Sequence, residues 1–496
     1  CQAVVLLPEI SLTPQTCARF RGRFGGLAVL HSHLTPGQRA EEWRRIKAGK
    51  AEVVIGARSA AFAPVPRLGL IVVDEEHESS YKQDSPPRYH ARDVAARRAQ
   101  LEGAVCVLGS ATPSLESLQA ALWGRYRLHH MTKRVAGRSL PRVEIIDSRV
   151  EFREKRFYTA LSHRMRALLG DCLAGGGSAI MFLNRRGWST GVLCNRCGYV
   201  ARCGRCQVAL VYHRERDAGV CHYCGAEQPV GASCPDCGAP GLRHVGLGTE
   251  KVEEQVRKFF PEARVARLDS DVMSRRTSHA HILSDFREGR IDVLVGTQMV
   301  GKGLDFPNVT LVGMISADTA LNLPDFRAAE RTFQLISQVA GRAGRGEKGG
   351  RVAVQTAMSE HPAVRAAAEH DYMSFAQREL DLRREQFWPP FARLVRVVVR
   401  GPDPEAVRRR AEDVAAKVRR AMDSIGQALP GSRSPQMLGP APCPLEKLED
   451  NWRWHLLLKC PHGDWAGRLL PAVRAAAAGR RGRVRAVVDV DPGMML

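Results

Sequence analysis

The sequence predicts an α/β protein with two parallel-sheet domains, a cysteine-rich insertion in the second of them, and a C-terminal α+β domain. Two regions alternate short apolar runs with polar helical stretches, which is the pattern of parallel sheets covered on both faces. Four CxxC pairs interrupt the second region, and the last region has a different order of strands and helices. At 496 residues the chain is long enough for three or four domains of roughly 100 to 200 residues each.

The first predicted domain spans residues 1–131, and a basic linker at 132–155 follows it. Its strands should be short apolar runs bounded by turn-forming residues, because a strand buried on both faces presents few polar side chains. In chain order these runs read AVVLLP, LAVLHS, AEVVIG, LGLIVVDEE and AVCVLGSA.

The second domain is predicted in two parts, 156–192 and 241–369, on either side of an insertion at 193–240. The insertion contains turn residues throughout and too few apolar residues for a core of its own. The predicted strands of this domain read SAIMFLNRRG before the insertion and RVARLDSD, IDVLVGT, VTLVGMISAD and RVAVQTA after it.

Residues 370–496 form the predicted C-terminal domain. Its apolar runs are RLVRVVVRG, HLLLKC and RVRAVVDVDP, and two helical stretches rich in Ala and Arg lie among them. This order favours a small split βαβ sandwich.

The charge of the chain indicates a polyanionic partner. Lys and Arg number 74 against 52 Asp and Glu, which gives a formal net charge of +22. The alternative is a compositional bias towards Arg, which greatly outnumbers Lys. No stretch approaches the roughly eighteen consecutive apolar residues of a membrane-spanning helix, so the sequence argues against a membrane-spanning protein.

The clustered cysteines predict metal binding rather than disulfides. Each CxxC turn can aim two thiolates at one tetrahedral ion, and eight thiolates suit two closed sites, which leave no position for a substrate and are therefore structural. Iron–sulfur ligation and disulfides are the alternatives. The pairs are Cys194/Cys197, Cys203/Cys206, Cys221/Cys224 and Cys234/Cys237.

Spacing alone does not decide which pairs share an ion. A nested arrangement is topologically compact: the outer pairs 194/197 and 234/237 would share one ion, and the inner pairs 203/206 and 221/224 would share the other. We expect the nearby His213 and His222 to be surface residues rather than ligands, because the cysteines already suffice.

The run GLIVVDEEH at 69–77 is an apolar strand that ends in acids. Asp74 at the carboxyl end of a buried parallel strand is placed to bind Mg²⁺, and Glu75 beside it can polarise a water molecule. The alternative is an acidic turn at a strand end. The run GSATPS at 109–114 also follows an apolar strand, and its Ser110 and Thr112 hydroxyls can link a nucleotide site to a neighbouring motif.

The run QVAGRAGR at 338–345 is more specific. Arg342 and Arg345 can reach a γ-phosphate, with Gln338 about one helical turn earlier, and such an arginine finger supplies about 10³ to 10⁵ in rate. The alternative is a basic solvated helix. Gly296–Lys302 matches the GxxxxGK part of a phosphate-binding loop, but Gly303 stands where Ser or Thr binds Mg²⁺, so we interpret this match as fortuitous.

Taken together, these motifs resemble those of a known family. DEEH, GSATPS and QVAGRAGR in this order, with GARSA at 56–60 and the cysteine insertion, resemble the superfamily 2 helicases. More narrowly, the resemblance is to the bacterial primosomal replication-restart helicases, and it covers essentially the whole chain. The runs that carry it are PEISLTPQ (8–15), DEEHESSYKQ (74–83), RYHARD (88–93), FLNRRG (182–187), the CxxC array and GTQMVGKGLDFPNV (296–309).

The resemblance implies two RecA-like motor domains and an ATP-dependent helicase that moves 3′ to 5′ on single-stranded DNA. Such a helicase recognises stalled forks and D-loops and initiates primosome assembly to reload the replicative helicase. The implied cofactors are ATP, Mg²⁺ and two Zn²⁺ in the nested pairing. The implied partners are single-stranded and branched DNA, single-stranded DNA-binding protein, and primosome and helicase-loading proteins, for a monomer in the bacterial cytoplasm at the nucleoid.

The resemblance also implies roles for individual residues. RYHARD would couple DNA binding to hydrolysis, although the family usually carries an aromatic residue where Pro86 and Pro87 precede Arg88 here. Catalytic roles fall on Asp74, Glu75, Gln338, Arg342 and Arg345. Nucleotide-binding roles fall on His77, Ser110, Thr112, Gly303 and Asp305, and DNA-binding roles on Pro8, Thr13, Arg58, Arg88, Tyr89, Thr297 and Gln298.

The family's phosphate loop and its N-terminal DNA-binding and winged-helix domains would lie upstream of Cys1, so we expect residues 1–496 alone to bind ATP poorly. Two other functions stay open. One is an ATPase-inactive DNA-binding scaffold of the restart primosome, which intact DEEH and QVAGRAGR argue against. The other is an RNA helicase, which only the family resemblance argues against.

Overall fold

The computed structural model describes residues 1–8, 14–32, 34–131, 140–150, 160–183, 192–194, 196–213, 216–240, 249–268, 276–297, 306, 308–343, 349–427, 433–479 and 482–495. These residues divide into two compact units. The first contains Cys1–His129 and Pro492–Met494, and the second contains the other described residues. Among the described helices, none is both long enough and apolar enough to cross a membrane.

A parallel sheet of five described strands forms the centre of the first unit, in the order β2-β3-β1-β4-β5. All five predicted apolar runs are strands, and one of them, β3, is buried along its whole length. The strands are β1 (Gln2–Leu6), β2 (Leu27–Leu30), β3 (Val53–Gly56), β4 (Leu68–Val73) and β5 (Val105–Leu108). The helices are Pro14–Arg21, Pro36–Lys47, Ala91–Glu102 and Leu115–Leu122, with 3₁₀ turns at Arg58–Phe62 and Ser79–Tyr81.

Apolar side chains cover both faces of this sheet. Ile71 and Val73 of β4 pack with the alanines of helix Ala91–Glu102 in one core, and Val53 and Ile55 of β3 pack with Leu27 of β2 in another. The carboxyl ends of these parallel strands meet at one edge, which is where GARSA, DEEH and GSATPS follow their strands.

The second unit contains a second parallel sheet, in the order β11-β12-β7-β13-β14-β6. Its core joins strand residues to the helices His163–Ala174 and Thr249–Phe259. The strands are β6 (Arg142–Asp147), β7 (Ser178–Phe182), β11 (Val265–Leu268), β12 (Val293–Gly296), β13 (Val309–Met314) and β14 (Arg351–Thr356). Further helices are Arg276–Arg287, Asp318–Leu321, Ala328–Ala340, Pro362–Ala368 and Tyr372–Glu385.

The prediction that residues 132–155 form a linker is wrong at the centre of that range. Residues 142–147 form β6, which pairs in parallel with β14 at the edge of the second sheet. The sequence RVEIID alternates charged and apolar residues, which suits an edge strand with one partner but lacks the apolar run that identifies a central strand. The other predicted domain boundaries stay predictions.

Between β7 and β11 lies a small antiparallel sheet of three-residue strands, β8 (Val211–His213), β9 (Ala218–Val220) and β10 (Glu227–Pro229). We call residues 192–240 the zinc region. Its strands are too short to bury a core between them, so its side chains pack on the rest of the second unit.

The C-terminal domain has the order strand, helix, strand, strand, helix, strand. Its antiparallel sheet has the order β16-β17-β15-β18, and this arrangement confirms the predicted split βαβ sandwich. The elements are β15 (Arg393–Gly401), helix Pro404–Gln427, β16 (Gln436–Leu448), β17 (Asn451–Cys460), helix Asp464–Ala477 and β18 (Arg485–Val490).

The sequence prediction missed strand β16. Pro440, Pro442 and Pro444 interrupt its apolar pattern, and proline provides no N–H for a ladder hydrogen bond. The structure accommodates them because β16 is an edge strand, and its pairing with β17 shifts register between Leu438 and Ala441.

A buried ion pair joins two helices of the second unit. Arg383 is 1% exposed, and its guanidinium donates to Glu330 (2.8 Å) and Glu379 (3.1 Å). Its Nη1 also lies 3.4 Å from the main-chain oxygen of Pro389, and its plane lies against the ring of Phe326. This guanidinium therefore fixes helix Tyr372–Glu385 against helix Ala328–Ala340.

Replacing Arg383 with Ala should destabilise the second unit by about 3 to 5 kcal/mol, because it leaves the Glu330 carboxylate buried without its cation. Arg384→Ala is the matched control, since that neighbouring arginine pairs with Asp381 at the surface and should change stability by about 0 to 1 kcal/mol. Denaturant unfolding followed by circular dichroism measures both. Equal stability losses in the two variants would contradict the role of Arg383.

Candidate metal centre and candidate active site

The four CxxC pairs fold into one repeated turn. In each turn the carbonyl of the first cysteine accepts a hydrogen bond from the N–H four residues later, at 2.8 to 2.9 Å. The N–H of that cysteine donates to the carbonyl five residues later, also at 2.8 to 2.9 Å. The residue after each second cysteine has a left-handed backbone: Gly198 (φ 81°), Gln207 (φ 57°), Gly225 (φ 75°) and Gly238 (φ 66°).

The repeated turns bring the eight sulfurs into two groups of four. Cys194, Cys197, Cys234 and Cys237 form the outer site, and Cys203, Cys206, Cys221 and Cys224 form the inner site. All ligand atoms within a group lie within 4.8 Å of one another. The structure therefore groups the pairs as the nested arrangement expects.

The sulfur separations fit a tetrahedral ion and do not fit disulfides. Sγ–Sγ distances are 3.7 Å for Cys194–Cys237, 3.5 Å for Cys197–Cys234 and 3.7 Å for Cys203–Cys224. Four Zn–S bonds of about 2.3 Å in a tetrahedron place the sulfurs roughly 3.8 Å apart, whereas a disulfide needs about 2.05 Å. All eight cysteines are free thiols, so the donor set is that of a structural zinc site.

Without a cation the clustered thiols compete for protons. Hydrogen bonding from the Cys206 thiol lowers the pKa of Cys221 to about 5 against the opposing effect of burial, and the same thiol contact raises the pKa of Cys206. Burial raises the pKa of Cys197 to about 12. A divalent cation would displace these protons, because thiolates are the ligands.

His222 corrects one expectation, since it is not a surface residue. It is fully buried, and burial lowers its pKa to about 4. Its Nδ1 donates to the carbonyl of Pro442 at 2.9 Å, and its Nε2 lies 3.1 Å from Nε2 of His213. The sequence did not indicate that His222 is buried, because the strand that covers it is β16, which the sequence prediction missed. Neither histidine belongs to the two cysteine groups.

The DEEH segment lies at the carboxyl end of β4 in the first unit. Asp74 is exposed at the end of the strand, but partial desolvation of its carboxyl raises its pKa, while the N–H of Glu75 and the nearby His77 act in the opposite direction. Glu75 has a left-handed backbone (φ 46°), a strained conformation that is often found at functional sites. The hydroxyl of Tyr81 lies 2.7 Å from the main-chain oxygen of Asp74.

DEEH and GSATPS are in direct contact. His77 Nδ1 lies 2.7 Å from Ser110 Oγ and 3.6 Å from a Glu75 carboxylate oxygen. The N–H of Thr112 donates to Ser110 Oγ at 3.0 Å. The structure thus brings together Glu75, His77, Ser110 and Thr112, which the sequence placed in two separate motifs.

Glu76 is the residue of this region that sequence reasoning missed. It is 1% exposed, and its carboxylate accepts from the N–H of Ser114 (2.6 Å), from Ser117 Oγ (2.8 Å) and from Arg92 Nη1 (3.1 Å). Arg92 also donates to Ser114 Oγ at 2.7 Å. One buried carboxylate therefore joins DEEH, GSATPS and RYHARD. In the sequence, the only indication of this role was that Glu76 lies within the acidic run DEEH.

GARSA and RYHARD also meet in the first unit. Arg58 donates to the main-chain oxygens of Ser80 (3.1 Å) and Lys82 (2.8 Å). Burial raises the pKa of Tyr89, while its hydrogen bond with Arg58 acts in the opposite direction. The ring of Tyr89 meets that of Phe62 edge-on at 4.9 Å. Phe62 ends the 3₁₀ turn that begins in GARSA, so Tyr89 has an aromatic neighbour although Pro86 and Pro87 precede RYHARD.

The remaining predicted residues are more scattered. Pro8 is buried two residues beyond β1, and Arg88 is half-buried. In the second unit, Thr297 directly follows β12, while Gln338 and Arg342 lie at the end of helix Ala328–Ala340 and are half-buried. Thr13, Gln298, Gly303, Asp305 and Arg345 lie outside the described residues.

Family profiles match four parts of this chain. Residues 1–121 match "DEAD/DEAH box helicase" and residues 247–347 match "Helicase conserved C-terminal domain". Residues 203–229 match "PriA DNA helicase Cys-rich region (CRR) domain", and residues 384–493 match "Primosomal protein N C-terminal domain".

Curated relatives match 92 to 100% of the chain. The chain is 43% identical over 500 residues to the replication restart protein PriA of Bacillus subtilis, and it spans 61% of that relative. It is 42% identical to the protein of the same name from Synechocystis and spans 55% of it. It is 43% identical to that of Treponema pallidum, of which it spans 72%.

Removing metal from the chain should unfold the zinc region, because structural zinc contributes on the order of 10 kcal/mol or more in small modules. We expect two zinc ions per chain by elemental analysis. Limited proteolysis after chelation should then cut within 192–240. Cys17→Ser, which changes a cysteine outside both sites, should keep both ions and its protease resistance. A metal-free protein with unchanged protease resistance in this region would contradict the structural role.

Proposed function

The chain belongs to the replication restart protein PriA family, and on this premise we propose that its two parallel-sheet domains act as the motor of an ATP-dependent DNA helicase. The observation that carries the proposal is the contact between DEEH and GSATPS at the carboxyl end of β4, where His77 meets Ser110. Such a contact links acids that bind a nucleotide's Mg²⁺ to a loop that can respond to it.

Bound ATP and Mg²⁺ would supply the phosphoanhydride and the charge that neutralises its phosphates. Asp74 offers a carboxylate for the ion, and because partial desolvation raises its pKa, a nearby cation would favour its charged form. Glu75 orients and polarises a water molecule, and His77 holds the Glu75 carboxylate towards Ser110. Glu76 is too deeply buried for chemistry and instead fixes the positions of its neighbours.

The remaining roles follow the family resemblance. Gln338, Arg342 and Arg345 of the second unit would respond to the γ-phosphate, and Thr112, Gly303 and Asp305 would contribute to nucleotide binding. Residues along the DNA path would be Pro8, Thr13, Arg58, Arg88, Tyr89, Thr297 and Gln298. The contacts of Arg58 with the main chain at 80–82 and with Tyr89 support coupling between that path and the DEEH segment.

We further propose movement 3′ to 5′, recognition of stalled forks and D-loops, and primosome assembly with single-stranded DNA-binding protein and helicase-loading proteins. The cellular setting would be the bacterial cytoplasm at the nucleoid, with the protein acting as a monomer. The second candidate is an ATPase-inactive DNA-binding scaffold. The strained backbone of Glu75 favours the helicase, since a scaffold has no use for a strained acid beside His77.

Glu75→Gln in the full-length protein should reduce DNA-stimulated ATP hydrolysis by about 10² to 10⁴, because the water loses its carboxylate. Binding of a fluorescent ATP analogue should persist. Glu41→Gln, an exposed change on helix Pro36–Lys47, is the control and should hydrolyse normally. A wild-type protein with no DNA-stimulated hydrolysis would support the scaffold instead.

Affinity for single-stranded DNA should fall steeply with salt. The expected slope of log affinity against log salt is roughly −0.7 per phosphate contact, since each contact releases condensed counterions. Fluorescence anisotropy with labelled oligonucleotides of several sequences measures this, and we expect no base preference. A flat salt response would contradict the interpretation of the +22 charge as a nucleic-acid footprint.

A further inference from the structure

We propose that the two cysteine sites have separate mechanical roles within the second unit. The outer site attaches the zinc region to the second parallel sheet, and the inner site attaches the C-terminal domain to the zinc region. Each site does so through one of its two CxxC turns, Cys194–Cys197 for the outer site and Cys221–Cys224 for the inner site. This inference needs neither ATP nor DNA, so it stands or falls independently of the proposed function.

The inner turn is hydrogen-bonded directly to the C-terminal sheet. His222 Nδ1 donates to the carbonyl of Pro442 in β16 at 2.9 Å. Nε2 of His455, in β17, donates to the carbonyl of His222. Both histidines are buried, at 0% and 1% exposure, so these bonds form away from water.

The donors and acceptors of this contact are fixed by their partners. Arg396 Nε can only donate, and it lies 2.9 Å from His455 Nδ1, so that nitrogen accepts and Nε2 carries the proton. The carbonyl of Pro442 can only accept, so His222 Nδ1 carries a proton as well. Each hydrogen bond of this series therefore has a defined donor and acceptor, and the series runs from Arg396 through His455 and His222 to Pro442.

Aromatic packing extends the inner contact. The ring of Tyr223 meets that of Trp388 edge-on at 5.3 Å, and Lys459 of β17 lies with its Nζ 3.4 Å from the Trp388 ring centre. The Lys459 ammonium also donates to the carbonyl of Gln386 at 2.8 Å. Cys203, Cys206 and Cys221 share one buried cluster with Trp388 and with Leu457 of β17.

The outer turn contacts a different part of the unit. Gly198 lies so close to the main-chain oxygen of Ala357 that a Cβ at this position would collide with it. Arg149 Nη1 lies 3.4 Å from the carbonyl of Cys197. The same guanidinium holds Asp147 at the end of β6 and donates to Ser359 Oγ at 2.8 Å.

The partner turn of the outer site makes no such contact at the equivalent glycine. A Cβ added to Gly238 would meet nothing within 4 Å, although its backbone is left-handed like that of Gly198. Loss of the metal ion from one site should free the CxxC turn of that site that packs on a neighbouring domain, because the ion no longer joins this turn to its partner turn.

The resulting loss of protection should appear only in the domain against which that turn packs.

Two double variants separate the sites without changing the residues that hydrogen-bond to β16 and β17 or that approach Ala357. Cys203→Ser with Cys206→Ser removes inner ligands, and Cys234→Ser with Cys237→Ser removes outer ligands. Elemental analysis should find one zinc ion in each variant. Amide hydrogen exchange should accelerate at least tenfold in 436–460 for the inner variant alone, and in 351–361 for the outer variant alone. Loss of both ions in either variant, or equal exchange changes in both segments or neither, would overturn the proposal.

A ligand-sparing pair keeps the proposal testable if the serine variants fail to fold. Gly198→Ala and Gly238→Ala add the same Cβ to left-handed residues of the same site, but only the first meets Ala357. With two zinc ions bound, Gly198→Ala should accelerate exchange in 351–361 at least threefold over Gly238→Ala. Identical exchange in the two variants would show that the outer turn does not dock on the second sheet.

Discussion

The zinc region depends on the clustering of its eight cysteines, and its contacts connect the second parallel sheet with the C-terminal domain. Its antiparallel strands have only three residues each, so hydrogen bonding and apolar burial cannot hold residues 192–240 in one conformation. Eight cysteines in two groups of four supply the missing constraint. Because thiolate ligands replace a core, the region can present His222 and Tyr223 outwards to other parts of the unit instead of burying them within itself.

In the first unit, a buried carboxylate holds the segments around DEEH in place. Glu76 accepts hydrogen bonds from two segments that are distant in the chain: Ser114 and Ser117 lie in one, and Arg92, which balances its charge, lies in the other. Burial alone would lower the pKa of Arg92, but the charges of Asp93 and Glu76 raise it, so the guanidinium keeps its charge. The acids expected to do chemistry, Asp74 and Glu75, therefore sit on a rigid support.

The parts that the sequence predicted share a local signal. Buried strands such as β3 and β12 are continuous apolar runs, and the CxxC spacing alone predicts the turns of the cysteine pairs. The parts it missed depend on neighbours. β6 alternates charged and apolar residues because it is an edge strand, and β16 tolerates three prolines for the same reason. The burial of His222 and the central position of Glu76 arise from distant partners, Pro442 and Ser114, that no local pattern indicates.

The claim that the cysteines form two closed four-sulfur zinc sites is tested most directly by X-ray absorption at the zinc edge on the purified chain. We expect two zinc ions, each with four sulfur neighbours at about 2.3 Å and no lighter ligand. A nitrogen or oxygen neighbour in the first shell would contradict it, because such a ligand would open a site that the structure builds closed.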